Sequence, residues 1–435
     1  MGVGGVTGRT DTDLALATVD LSVSTPTRVR PAQEETPSAP GAPSAPSSRF
    51  VGLLAVASGV AVADNYYLQP VLALVGKDLG AGVGALAVVV SLALLGYALG
   101  LLLVVPLGDI VDRRPLLVGI LSLTTAALAT MALAPSIPVL GVAAFFVGLT
   151  SVSAQLLVPY AASLADDAAR GRVVGTVMSG ILVGIVGARV IAGLLGQALG
   201  WRAVFATATV LTLGLLLGLA RWLPAERHRH RRNGRADVPY RTVLHGVWEL
   251  ARHVPGLRLR ALYGACGFGV YSAIWTALSF HLHDAYGLGP AAVALVALLG
   301  VAGAVSVPIV GRIAGAGREH TVTGSAYGVL LLGAALLSFG GSSLPMLLIA
   351  LVVVDLGVQA SHVANLSVVY TLVPESRSRA TTVYMTTVFV GGATGSLLSG
   401  QIYASVGWAG VVALCVGLAV VPLTVWLVRH RFVAR

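Results

Sequence analysis

The chain has 435 residues, of which 56% are hydrophobic and 11% charged, with 53 glycines and a mean hydropathy of +0.87. A soluble domain is about 45–50% apolar and about 25% charged, so a soluble enzyme is excluded. The net charge of +10 raises the question of nucleic acid, which the placement of the basic residues answers.

In chain order, residues 1–48 carry prolines 26, 31, 37, 40, 43 and 46 among Ser, Thr, Ala and Gly. So few large apolar side chains cannot offset the entropy of ordering, and a disordered tail is predicted. It lacks the charged and then apolar pattern of a cleaved signal peptide. From Phe50 onward, apolar runs of about 20 residues recur, each long enough at about 1.5 Å per residue to cross about 30 Å of hydrocarbon. Twelve spans are expected, near 50–74, 84–107, 116–134, 139–165, 173–198, 202–223, 259–283, 290–311, 321–341, 345–373, 381–405 and 408–428. A basic stretch divides them six and six, giving a lobe at 49–223, a linker at 224–258, a lobe at 259–428 and a tail at 429–435. The fold class expected is an all-α membrane protein of two pseudo-symmetric six-helix lobes.

Of the 28 Lys and Arg, 25 fall on one side of this arrangement, only Lys77 and Arg202 on the other, and Arg189 inside a span. The positive-inside rule then predicts a multi-pass protein of the cell membrane with both termini and the linker in the cytoplasm. The charge reports orientation, and no nucleic-acid partner is expected. Cys266 and Cys415 both fall within spans and read as small packing residues rather than disulfide partners.

The two lobes repeat. A shift of 207 residues aligns Arg170-Gly171-Arg172 with Arg377-Ser378-Arg379, Met178 with Met385, Gly184 with Gly391, Gly193 with Gly400, and Gly200-Trp201 with Gly407-Trp408. Glycine spacing alone is common in packed membrane helices. The flanking Arg-x-Arg and Gly-Trp pairs at the same offset identify a true repeat, and parallel six-span repeats are a transporter plan.

The stretch Pro106-Leu107-Gly108-Asp109-Ile110-Val111-Asp112-Arg113-Arg114 resembles the Gly-x-x-x-Asp-Arg signature between helices two and three of the major facilitator superfamily, although Pro115 and Leu116 replace its Gly-Arg-Arg tail. Asn65-Tyr66-Tyr67-Leu68-Gln69-Pro70, Gly96 to Gly100, Asp355 to Gln359, and Val383 to Met385 with Gly391-Gly392 resemble a bacterial subgroup described as sugar or drug efflux permeases. The likeness runs from about Arg49 to Arg429. It implies proton-coupled efflux of a small molecule by alternating access, with Gly108, Asp112 and Arg113 at a cytoplasmic gate. Asp112 is expected to bond backbone donors near Arg379 and Ala380.

Ionisable groups in hydrocarbon cost about 2.5–3.5 kcal/mol on insertion scales and are functional candidates by default. Of 18 acidic residues only Asp64 and Asp355 fall deep in spans, roughly 21 Å and roughly 15 Å from the ends of theirs at the helical rise. A desolvated carboxylate suits reversible proton binding; the competing reading is a fixed packing tie. Asp64 heads a polar run with Asn65, Tyr66 and Gln69, and is the first choice for proton coupling. Arg189 lies at a similar depth and is expected to pair with it. Asp355, Gln359 and His362, continued by Asn365, share one stripe of a helix, with His362 a further proton-relay candidate. Gln155 is the counterpart of His362 under the repeat, so both positions read as cavity-lining. Tyr66, Tyr271 and Trp275 could stack on a ring-bearing cargo. His281, His283 and Asp284 are spaced by two, which spreads them over different helix faces, so no metal site is expected. No phosphate loop and no His-Glu-x-x-His pair occurs, and no cofactor is expected. The reading is a monomeric secondary transporter in the lipid bilayer, with a small molecule and protons as partners. Uptake is the alternative direction, and a membrane-embedded enzyme or a non-transporting receptor is the alternative class.

Overall fold

A computed structural model describes residues 1–2, 48–222 and 239–433. The predicted tail before Ser48 and the Arg- and His-rich part of the linker lie outside them. Apolar runs become helices here because a backbone in hydrocarbon must satisfy its own hydrogen bonds. The first lobe comprises α1 (Ser48–Ala63), α2 (Leu68–Leu79), α3 (Val83–Leu99), α4 (Arg113–Ala132), α5 (Ile137–Thr150), α6 (Ser153–Leu164), α7 (Asp167–Leu199) and α8 (Trp201–Trp222). After α9 (Tyr240–His253) the second lobe follows as α10 (Pro255–Tyr286), α11 (Pro290–Ala297), α12 (Gly300–Ile313), α13 (Glu319–Leu336), α14 (Leu344–Leu372), α15 (Arg377–Val406) and α16 (Trp408–Val433).

Counted through their kinks, these helices make the twelve expected passages. Ten are long and apolar enough to cross a membrane. The other two are the passage at 290–313, split into α11 and α12, and α15, a 30-residue helix rich in Ser, Thr and Gly. We call the face where α1 begins and α16 ends proximal and the opposite face distal.

Three departures from expectation have local causes. The first passage is not one helix: Asp64 to Tyr67 form a turn between α1 and α2. Pro70 has no N–H to give the carbonyl of Tyr66, and Asp and Asn side chains compete for neighbouring backbone groups. The linker is not all irregular, since α9 occupies much of it and α10 begins at Pro255. The expected C-terminal tail is largely the last turn of α16.

Both repeated Gly-Trp pairs mark sharp corners between long helices, where Gly200 and Gly407 adopt φ of +85° and +76°, a conformation that suits glycine. Within the first lobe α7 crosses α1 with Gly180 on Ala55 and Gly184 on Gly59, and within the second α15 crosses α10 with Gly391 on Ala265 and Gly395 on Gly269. Cys266 and Cys415 are free and buried, as expected of packing residues.

Candidate functional site

The lobes close on each other at the distal face through two seams related by the repeat. In one, a Cβ on Gly193 of α7 would lie 2.4 Å from Ala294 Cβ and 2.5 Å from the Pro290 carbonyl oxygen. In the other, a Cβ on Gly400 of α15 would lie 2.0 Å from Ala87 Cβ and 3.2 Å from the Val83 carbonyl oxygen. Val83 and Pro290, Ala87 and Ala294, and Gly193 and Gly400 are all 207 positions apart. Only glycine permits such backbone approach. Hydrogen bonds reinforce it: Ala291 N–H donates to Gln197 Oε1 at 3.1 Å, Gln401 Nε2 to the Gly84 carbonyl at 3.4 Å, and Ser91 Oγ to the Ala393 carbonyl at 2.8 Å.

Between the lobes at mid-depth sits Arg189, 3% exposed. Its Nη2 donates to Gln69 Oε1 at 3.1 Å and, across the lobe boundary, to the Tyr271 hydroxyl at 2.6 Å. The guanidinium carbon lies 4.1 Å from the Trp275 ring centre, 4.8 Å from that of Tyr66 and 5.7 Å from that of Tyr271. Aromatic faces attract a cation through their quadrupole, and the α1–α2 turn delivers Tyr66 to this point. The aromatic contacts continue through Phe268, stacked on Tyr271 at 5.6 Å, to Phe389 at 4.8 Å and Tyr97 at 4.3 Å. Asn65, Tyr66, Gln69, Tyr97, Phe268 and Phe389 line a cavity with Tyr271 and Ser272.

The expected pairing of Arg189 with Asp64 is not formed. Asp64, 4% exposed, accepts a long 3.5 Å bond from Thr212 of α8 and lines a separate cavity inside the first lobe with Asn65, Leu94 and Met131. The reason is the turn: Asp64 begins it and stays with its own lobe, whereas Tyr66 and Gln69, beyond its first residues, reach the boundary. Asp355 instead shares a cavity with Tyr271 and Trp275, the same side chains that flank Arg189. Gly303 makes room for it, since a Cβ there would fall 1.9 Å from Asp355 Oδ2. The Oδ2 atoms of Asp64 and Asp355 are both buried without a donor.

The stripe on α14 diverges. Gln359 stays beside Asp355 near Gly303, His362 Nδ1 lies 3.2 Å from the Tyr384 hydroxyl, and fully buried Asn365 is tied to Arg260 at 3.2 Å and to Tyr327 at 3.2 Å. Asn365 is thus a packing tie rather than a cavity wall. Arg260, near the start of α10, also bonds Thr323 at 2.7 Å. Gln155 Nε2 reaches the Tyr97 hydroxyl at 3.4 Å.

At the proximal gate motif, Gly108 lets Leu156 approach, with 2.5 Å from a would-be Cβ to Leu156 Cδ2. Arg113 bonds Ser163 at 3.3 Å and lies over Tyr160 at 5.6 Å. Asp112 precedes α4 without a side-chain capping bond. Its expected bond to the start of α15 is absent among the described residues, because α9 is seated there, with Arg379 packed against Gly246. His281 stacks on Trp408 at 4.0 Å and meets the Gly340 carbonyl at 2.8 Å, while Asp284 accepts from Tyr403 at 2.9 Å. Among the described residues no group of His, Cys, Asp and Glu could hold a metal ion.

Sequence reasoning found Arg189, Tyr66, Gln69, Tyr271 and Trp275 but missed Tyr97, Phe268 and Phe389. Phe268, Tyr271 and Trp275 follow at intervals of three and four, a stripe that was legible. Phe389 carried no comparable signal.

Comparison with known proteins identifies the family. The profile of the Major Facilitator Superfamily matches residues 54–341 and 316–434. The uncharacterized transporter YgaY of Escherichia coli O157:H7 is 39% identical over 87% of this chain and 95% of its own. The chloramphenicol resistance protein of Streptomyces lividans is 31% identical over 60% of this chain and 65% of its own. A solved bacterial homolog of the human lysosomal transporter Spinster, inward-facing and occupied, shares the fold with a TM-score of 0.70 at 15% identity, over 88% of this chain and 97% of that one. The chain belongs to the Major Facilitator Superfamily, a family of membrane transporters rather than enzymes.

Proposed function

We propose that the protein exports a small molecule across the cell membrane in exchange for protons, acting as a monomer with its termini and basic connector in the cytoplasm. One observation carries this reading: the central site is divided between the lobes, with Arg189, Gln69 and Tyr66 from the first and Tyr271 and Trp275 from the second. Rocking one lobe against the other assembles and disassembles such a site, which is how cargo is held and released by alternating access. The glycine-packed distal seams close one exit in the present conformation. Asp355 is the coupling carboxylate favoured by its place in the shared cavity, with Asp64 as the second candidate. The donor-less oxygen on each is free to take up a proton. His362, two turns along α14 from Asp355 and hydrogen-bonded to Tyr384, has a positioning role at most. The name of the Streptomyces lividans relative supports export as the direction.

The test is transport by purified protein in proteoliposomes, with cargo candidates first selected by thermal stabilisation. An imposed pH gradient should drive cargo against the direction of proton flow. Cargo movement with the protons would establish uptake by symport instead, and movement indifferent to the gradient would remove proton coupling.

A further inference from the structure

The charge at the centre of the molecule has no carboxylate in contact with it, although Asp355 acts on it from beyond Tyr271 and Trp275. Arg189 is buried, yet no carboxylate lies within ion-pair distance among the described residues. The acceptors it does have, Gln69 and Tyr271, are neutral and both bind Nη2, while its Nε–H is buried without an acceptor. A buried guanidinium flanked by rings and neutral groups is only partly compensated, and its unpartnered Nε–H can give a charge-assisted hydrogen bond to an anion. Tyr66, Gln69 and Tyr271, which touch Arg189, line the adjoining cavity, where two further polar atoms lack partners, Asn65 Oδ1, which can only accept, and Ser272 Oγ. The remaining walls are aromatic: Tyr66, Tyr97, Phe268, Tyr271 and Phe389.

We infer that this site binds small aromatic acids, the carboxylate drawn to the unpartnered Nε–H and charge of Arg189 and the ring lying beside Tyr66, Tyr271 and Phe268. This names the cargo class of the transporter and rests on that reading of the chain. The unpaired Asn65 oxygen favours acids that also carry a hydroxyl or N–H on the ring. Neutral rings would leave Arg189 unmatched, and ring-bearing cations would be repelled by it. Trp275, packed on the guanidinium at 4.1 Å, holds Arg189 in position.

The experiment is binding to full-length protein in detergent, read by thermal stabilisation and titration, with benzoate, 4-hydroxybenzoate and indole-3-acetate, their amides, and benzylamine. The acids should stabilise the protein, with at least about tenfold tighter binding than the amides, the scale on which losing a charge-assisted contact is read. 4-Hydroxybenzoate should exceed benzoate, and benzylamine should not bind. Arg189→Gln should erase the preference for acid over amide, and Asn65→Leu should erase only the gain from the hydroxyl. Should Arg189→Gln fail to fold, Arg189→Lys keeps the charge and should keep the preference for acid over amide. Equal binding of acids and amides, preference for benzylamine, or no binding by any of the acids overturns the inference. Transport of another compound in those cases would leave the transporter reading intact. Acids that bind but never cross proteoliposomes would support this site and overturn transport.

Discussion

Asp64 in the first lobe and Asp355 in the second are both placed near mid-membrane by residue counting, but they keep different company. Asp64 accepts from Thr212 and faces a cavity walled by its own lobe. Asp355 opens on Tyr271 and Trp275, which also hold Arg189. Depth in a span establishes that a carboxylate is costly; which lobe interface it serves depends on the direction its backbone gives it. A turn can reverse that direction within a few residues, as it does between Asp64 and Tyr66.

The contrast is broken most directly by Asp355→Asn. Gradient-driven accumulation should fall about 5–150-fold, the usual range of a coupling free energy, while exchange without a gradient persists. Proteoliposomes with and without a pH gradient measure both, and accumulation at the wild-type level would put the two aspartates on the same footing. The distal seams come next. Gly193→Leu and Gly400→Leu should each cost the closed arrangement about 1–3 kcal/mol by overpacking, and by similar amounts, because the seams are repeat equivalents. Cysteines placed at Gln197 or Gln401 should then label faster, and unchanged labelling would show that these glycines do not govern closure.

Asp64→Asn sharpens the comparison from the other side. It keeps most hydrogen-bonding capacity, so accumulation should survive and stability should change by about 1 kcal/mol or less. Loss of gradient-driven transport here with retention in Asp355→Asn would exchange the two roles. The smallest effect belongs to Thr212→Val, which removes only a 3.5 Å bond. Thermal unfolding should register about 0.5 kcal/mol or less for so long a contact, with no change in transport.

The passages were legible because each is an apolar run bounded by charge or by a Gly-Trp corner, and the lobes because those corners repeat at one offset. Interruptions were not. The break at Asp64 to Tyr67 depends on Pro70 three residues further on, and hydropathy averages over both. The helix α9 left a usable trace in Val243, Leu244, Val247, Leu250 and Ala251, spaced for one helical face, but the surrounding charge read as linker. Within the site, residue type identified Arg189 and its aromatic neighbours, while partner choice required side-chain direction. The same limit applies to Asp112, whose predicted contact is displaced by α9.

That short helix has a consequence for how the molecule opens. Tyr240 donates to the Leu103 carbonyl at 2.7 Å, beyond the end of α3, while Val247 packs with Ala380 and Val383 of α15. One proximal edge of the boundary between the lobes is therefore stitched, and it is the edge where α3 and α15 run together. The edge under α7 and α12 carries no such stitch among the described residues. We expect the two halves to part on the proximal side first at the α7 margin, like a book held at its spine.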